Sequence, residues 1–246
     1  MKKLIFALLL LTLPSYIWAE EVNSQKDTET EVRRQFAMPS NYGSLVVEWG
    51  FNALINAPKE MKLGHWGSRT IKGYLYYNIP IKESHFTFSP GIGIEAESYQ
   101  FRDKYTLARS KSRKTFLKPA RALFPNSPEI KQSSLAVKYT ELVTELRFNA
   151  NHGEPQYGLF IALGGKIGLR WGASTTIRYR EDSQNKSRIT AESFNLSRLR
   201  YGLLARVGWG RFGAFYSQTF SALFSEQGPS EATIRPFSIG ISINLL

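Results

Sequence analysis

At 246 residues and 42% hydrophobic content, the chain is long enough for one large β domain and too polar for a bundle of membrane helices. It has no cysteine, which excludes disulfides, thiolate nucleophiles and cysteine metal sites. With 32 Lys and Arg against 20 acids, its net charge of +12 favours anionic partners.

Lys2 and Lys3 precede the apolar run Leu4 to Leu13, followed by Pro14 and the small Ala19. This order predicts a secretory signal peptide over 1–19. The run is too short to cross a bilayer as a helix, and no later stretch reaches eighteen apolar residues. Residues 20–40 are polar, with Glu20, Glu21, Asp27, Glu29 and Glu31 and no apolar period, and are expected to be a flexible periplasmic leader.

From residue 41 to 246 the sequence repeats a period of two, the spacing of strands with unlike faces. Leu45, Val47, Trp49, Phe51 and Ala53 alternate with Glu48, Gly50 and Asn52. Next, Ile71, Leu75, Tyr77 and Ile79 oppose Lys72, Tyr74, Tyr76 and Asn78. Phe86, Phe88, Ile92 and Ile94 oppose Ser89, Gly91, Gly93, Glu95 and Glu97. Leu142, Leu146 and Phe148 oppose Glu141, Glu145 and Arg147. Leu159, Ile161, Leu163, Ile167 and Leu169 oppose Ala162, Gly164, Lys166, Gly168 and Arg170. Leu199, Tyr201, Leu203, Ala205 and Val207 oppose Arg200, Gly202, Arg206 and Gly208. A seventh run, Phe212 to Phe220, is less regular, and Phe237, Ile239, Ile241, Ile243 and Leu245 form an eighth with Ser238, Gly240, Ser242 and Asn244 behind them.

The connections alternate long and short. Short turns fall near Lys82 to Ser84 and at Gly210-Arg211, with a moderate one at Asn149 to Tyr157; long loops cover Arg102 to Ser134, Arg180 to Phe194 and Ala222 to Thr233. That rhythm predicts an all-β fold, an eight-stranded antiparallel transmembrane β-barrel of the outer-membrane type. An even strand count places both termini in the periplasm and the long loops outside. The loop from Arg102 to Ser134 is long enough to hold a further hairpin. Trp49, Tyr77, Tyr99, Trp171, Tyr201 and Trp209 are candidates for interfacial aromatic girdles.

The polar faces carry both signs of charge beside glycine. An eight-stranded barrel is just filled by its side chains, so these residues are expected to close a narrow lumen. The predicted lumen charge network, structural in role, is Glu48, Lys72, Glu95, Glu97, Glu141, Glu145, Arg147, Lys166, Arg170, Arg200 and Arg206. Glu95 and Glu97 share a face and could instead serve as an acid–base pair. A second cluster lies in the loop after the third run: Arg102, Lys104, Arg109, Lys111, Arg113 and Lys114, with Asp103 the acid among them. It is either a solvated loop or a contact for surface anions such as lipopolysaccharide phosphates. Nucleic acid is an unsuitable partner for an exported barrel.

No catalytic set is read from the sequence. His65, His85 and His152 are far apart and lack metal-ligand spacing, and adjacent strand residues such as Ser84 and His85 face opposite ways. No metal or cofactor is expected. Asn185 and Asn195 head glycosylation-type triplets, which mean little in a bacterial exported chain.

Several stretches, taken in order, resemble a known family: "GSRTIKGYLYYNIPIKESHFTFSPGIGIEAESYQF", "YTELVTELRFNAN", "LGGKIGLRWGASTTIRY", "RYGLLARVGWG" and "LFSEQGPSEATIRPFSIGISI". They are similar to the PorT-like outer-membrane β-barrels of Bacteroidota, over about Gly43 to Leu246. The resemblance implies an eight-stranded barrel in the outer membrane, in contact with its lipid. One branch of that family takes part in type IX protein secretion, which would add secretion-system proteins as partners. Thr144, where a proline is expected, and the non-aromatic Leu246 depart from the pattern. On these grounds the expected role is structural or interactive and non-enzymatic, with a lipid-modifying barrel enzyme or a small passive channel as alternatives.

Overall fold

The computed structural model describes residues 43–64, 66–82, 84–124, 129–151, 158–181, 183–225, 228–229 and 233–245. The segments read as signal peptide and leader lie outside them, as do His65 and His152. Twelve strands follow in order. They are β1 (Gly43–Ile55), β2 (Arg69–Tyr77), β3 (Ile79–Pro80), β4 (Phe86–Phe101), β5 (Tyr105–Arg109) and β6 (Thr115–Pro119). Then come β7 (Glu129–Asn149), β8 (Leu159–Glu181), β9 (Gln184–Ala191), β10 (Leu199–Trp209), β11 (Phe212–Thr219) and β12 (Arg235–Asn244). Among the described residues no helix is long and apolar enough to cross a membrane.

Eight of the strands close a ring. The antiparallel order β1-β2-β4-β7-β8-β10-β11-β12 returns to β1 through pairs running from Val46↔Asn244 to Ile55↔Arg235. Each of the eight sequence runs falls on one ring strand. Closure gives every ring strand a partner on both sides, so the backbone groups within the paired ladders are satisfied by neighbours. At one end the strands join through short connections. Trp209 pairs with Phe212 across the two-residue turn Gly210-Arg211, where Gly210 takes φ 59°, the left-handed sign that such a hairpin requires. This is the turn end; the opposite one is the loop end.

The loop end differs from expectation in how far β7, β8 and β9 extend, while the hairpin for which the Arg102 to Ser134 loop has room is present. Arg180 to Phe194 was expected to be a loop, but β8 runs on to Glu181 and β9 folds back along it from Glu181↔Gln184 to Ser174↔Ala191. The reason is composition: Thr175, Thr176, Ile177, Arg188, Ile189 and Thr190 are residues that suit a pleated ladder, polar though the segment is. The Arg102 to Ser134 loop holds the hairpin β5–β6, and β7 starts at Glu129. Ala120 N–H donates to Lys104 O at 2.9 Å and closes the base of the hairpin, while Asn195 Nδ2, donating to Arg113 O at 2.7 Å, and buried Leu107 tie it to the other loop-end residues.

The two faces of the ring are chemically opposite. Leu142 is 64% exposed, while Glu141 and Val143 beside it are 0% and 4%. The same parity holds at Ile71, Leu75, Ile92, Ile94, Ile161, Ile167, Ile239 and Ile241, all exposed, against buried Lys72, Glu95, Lys166 and Ser238. On β8 the exposed apolar set runs from Leu159 to Trp171. Twelve rises of ~3.3 Å, tilted by ~45°, give a band about 28 Å tall, the height of a bilayer's hydrocarbon region. Trp49, Tyr77, Trp171, Tyr201 and Trp209 are on this outer surface. Tyr99 is not: it is fully buried, because its place on β4 has the inward parity of Glu95 and Glu97.

Nearer the loop end the alternation inverts. Above the charged residues, β7 turns Leu135, Val137 and Tyr139 inward, and Lys138 and Thr140 outward. A bulge in the β7–β8 ladder between Lys138 and Tyr139 pairs Tyr139 with Arg170 and Lys138 with Gly172. It shifts the inward parity of β8 from even positions such as Lys166 to odd ones such as Thr175 and Ile177.

Candidate functional site

Register alone places the charges. Glu48 pairs with Lys72 across β1–β2, and Lys72 with Glu95 across β2–β4, so an acid, a base and an acid sit at one height and point inward. On the far wall, Gly168 of β8 separates Glu141 of β7 from Arg200 of β10. A side chain at Gly168 would meet Arg200 Cγ at 3.1 Å and Glu141 Cγ at 3.2 Å, so the glycine is the space in which the guanidinium lies. Gly50 and Gly240 do the same for Phe215, whose ring a Cβ at either position would approach to 2.8 Å. The small residues are therefore fitted to large inward ones, as close packing of a lumen demands.

Arg200 is the hub. Its Nη1 lies 3.1 Å from Glu97, its Nε and Nη2 donate to Glu141 at 2.9 and 2.7 Å, and its Nη2 also reaches Glu95. Its guanidinium stacks on Tyr139, 3.4 Å from the ring centre. Lys166 bridges Glu95 at 3.0 Å and Glu141 at 3.3 Å, and Lys72 lies 3.5 Å from Glu95 and 3.7 Å from Glu48. Towards the turn end, Arg206 pairs with Glu145 and lies 3.9 Å from Glu48, and Arg147 donates to Glu145 at 3.0 Å. Neutral donors complete the set: Tyr74 Oη donates to Glu141 at 2.6 Å and Thr70 Oγ1 to Glu95 at 2.9 Å. Five carboxylates and five cations thus meet in one buried layer. Charges so deep persist because opposite charges and hydrogen bonds replace the water they lost.

All the predicted lumen charges join this layer except Arg170. It is half-buried at the bulge and its Nη2 reaches Leu196 O at 3.5 Å, among loop-end residues rather than the carboxylates. Arg170 keeps the inward parity, since it pairs with buried Tyr139 of the apolar cluster, and its height rather than its face sets it apart.

Above the charges lies a second layer that the sequence did not reveal. Met61, Tyr99, Phe101, Leu107, Leu135, Val137, Tyr139, Phe194, Leu196, Leu223, Phe224 and Ile234 form one buried apolar cluster. Its members come from β4, β5, β7 and the loop-end connections, and Leu107 brings the hairpin into it. The loop cations Arg102, Lys104, Arg109, Lys111, Arg113 and Lys114 are all exposed beyond it. Lys104 and Arg113 occupy turn positions with φ 57° and 64°, and Arg113 N–H donates to Ser110 O at 2.9 Å. Ser84 and His85 make separate bonds: Ser84 Oγ donates to Ile81 O at 2.8 Å, and His85 Nδ1 lies 2.9 Å from Asn149 O. Among the described residues no group of acidic or histidine side chains could hold a metal ion.

The sequence profile of the outer membrane protein beta-barrel domain matches residues 23–225. Among solved structures, the chain is similar to Ail, the attachment invasion locus protein of Yersinia pestis, in complex with the heparin analogue sucrose octasulfate. Identity is 11%, with 82% of this chain and 97% of that one covered at a TM-score of 0.32. A second similar structure is an engineered protein described for asymmetric conductivity, at 7% identity, covering 82% of this chain and 99% of that one, with a TM-score of 0.20. No curated protein matches. The chain belongs to the outer-membrane β-barrel family, and the apolar band of its outer wall is the surface that meets the lipid of that membrane.

Proposed function

We propose that this outer-membrane barrel is a closed anchor that presents its basic loop end to anionic or protein partners, and is neither a channel nor an enzyme. The observation that carries this reading is the filled lumen, in which the paired charges and the apolar cluster stand one above the other. An ion entering from either side would have to displace ion-paired side chains and the packed apolar cluster. In the same reading both termini are periplasmic and the long loops extracellular, which the long–short rhythm supports.

Glu95 and Glu97 are better suited to structure than to acid–base work, since Arg200 contacts both and Lys166, Lys72 and Thr70 crowd Glu95. The resemblance to the PorT-like family, one branch of which takes part in secretion, makes a secretion assembly one candidate protein partner, and the exposed cations of 102–114 support contact with surface phosphates. Planar-bilayer recording of the purified full chain tests the closed lumen: a flat baseline is expected, and discrete conductance steps would overturn it. Co-purification from native membranes tests the partner role, with a stable protein complex expected under mild detergent. Conversion of lipids by the purified chain, lost in Glu95→Gln without loss of folding, would instead establish the enzyme.

A further inference from the structure

A cavity of about 670 Å³ opens on the outer wall near the loop end, within the ~300–1,000 Å³ of ordinary ligand sites. It arises where a ladder parts. β1 and β2 pair as far as Phe51↔Arg69, and Asn52 N–H still donates to Ser68 O at 3.0 Å. Beyond that, residues 62–64 run beside β4 instead: Gly64 N–H donates to Gln100 O at 2.9 Å and Arg102 N–H to Lys62 O at 2.8 Å. The upper part of β1 loses its neighbour on that side, and a groove is left.

The groove is amphipathic along its length. One wall is Phe51 and Ala53 with their partners Ile239 and Phe237, outward residues continuous with the apolar band. Trp66, 78% exposed, stands edge-on to Phe51 with ring centres 5.9 Å apart. The other end carries Lys62 and Arg102, both exposed, and no acid is among the described residues that line the cavity. Arg102 lies four residues beyond Ser98, the β4 residue level with Arg69 and hence with Phe51, so the cations stand on the loop-end side of the apolar wall. Of the six cations in the predicted anion-contact loop, Arg102 is the one that lines this groove.

We propose that the groove binds a phosphorylated membrane lipid, with an acyl chain along Phe51, Ala53, Phe237 and Ile239 and the phosphate on Lys62 and Arg102. An acyl chain can enter sideways from the bilayer, which a water-soluble ligand cannot. The two cations sit at headgroup height, and the guanidinium can grip a phosphate through two N–H groups. The site opens on the outer wall, with Met61 of the loop-end cluster in its lining, and goes beyond the closed-anchor reading.

Bromine-labelled lipids test it through tryptophan quenching. The full chain is reconstituted in phosphatidylcholine vesicles containing a minor fraction of brominated phosphatidic acid or, in parallel, brominated phosphatidylcholine, and the Trp66 component is taken against Trp66→Phe. The anionic lipid is expected to quench at a lower mole fraction, by roughly fivefold for each cation. Lys62→Gln with Arg102→Gln should abolish that preference, and Ala53→Phe should weaken quenching by filling the groove. Heat-modifiable gel mobility verifies that each variant is folded. Equal quenching by both lipids in the unmodified chain overturns the proposal and leaves ordinary annular contact. Displacement of the brominated lipid by inorganic phosphate overturns it too, since the site would then be an aqueous anion site. Conductance measured on the same preparation tests the lumen separately, so either reading can fail without the other.

Discussion

The lumen is filled by two layers held by different physics. Towards the turn end, Glu48, Glu95, Glu97, Glu141 and Glu145 are held by Lys72, Lys166, Arg147, Arg200 and Arg206; towards the loop end, Met61, Phe101, Leu135 and Leu223 pack as an ordinary apolar core. The ionic layer depends on each partner being present, because a buried charge left alone has no substitute for lost water. The apolar layer depends on volume, and a smaller residue leaves a gap whose cost scales with size. One barrel thus contains an interior that fails by imbalance and another that fails by vacancy.

Arg200→Met separates the two most sharply. It leaves Glu95, Glu97 and Glu141 short of their common partner, and a loss of about 3–5 kcal/mol is expected from urea unfolding in detergent micelles. Leu135→Ala in the upper layer should cost about 2–5 kcal/mol, with the polar network below it intact. Its conductance should stay at baseline, since the ionic layer still blocks the path; a channel opened by this one change would show that the apolar layer alone makes the seal. Gly50→Ala, whose Cβ would press on the Ile239 carbonyl of the paired strand as well as on the Phe215 ring, is expected to cost about 1–3 kcal/mol through overpacking. The smallest effect belongs to Lys186→Gln, whose pair with Glu181 at 2.9 Å is well exposed and should leave the unfolding midpoint where it was.

The same contrast explains what could be read from the sequence. In the membrane band the charged residues face in and most large apolar ones face out, Val143 and Phe215 being inward exceptions, so alternation located all eight ring strands and the lumen charges. At the loop end the rule reverses, with Leu135 and Val137 inward and Lys138 outward, and an apolar residue no longer tells which side it is on. Tyr99 was misplaced for that reason. Arg170 keeps the predicted inward face, paired with Tyr139, but alternation says nothing of height, and Arg170 stands level with the apolar cluster rather than with the carboxylates. The upper half of β8 and the strand β9 were missed because their Thr and Arg content resembles a solvated loop; only the partner strand shows that they form a ladder.

Closure of the ring by β1 and β12 also fixes an order in time. Val46 must find Asn244, nearly the whole barrel later in sequence, before the last hydrogen-bonded seam exists. Contacts so distant are late and slow, because the chain between them must be ordered before they return any free energy. Until then β1 and β12 offer two open edges within the bilayer. Whatever assists the insertion of this barrel has to guard those edges for the whole interval, and the slowest step of assembly should be the meeting of its two ends.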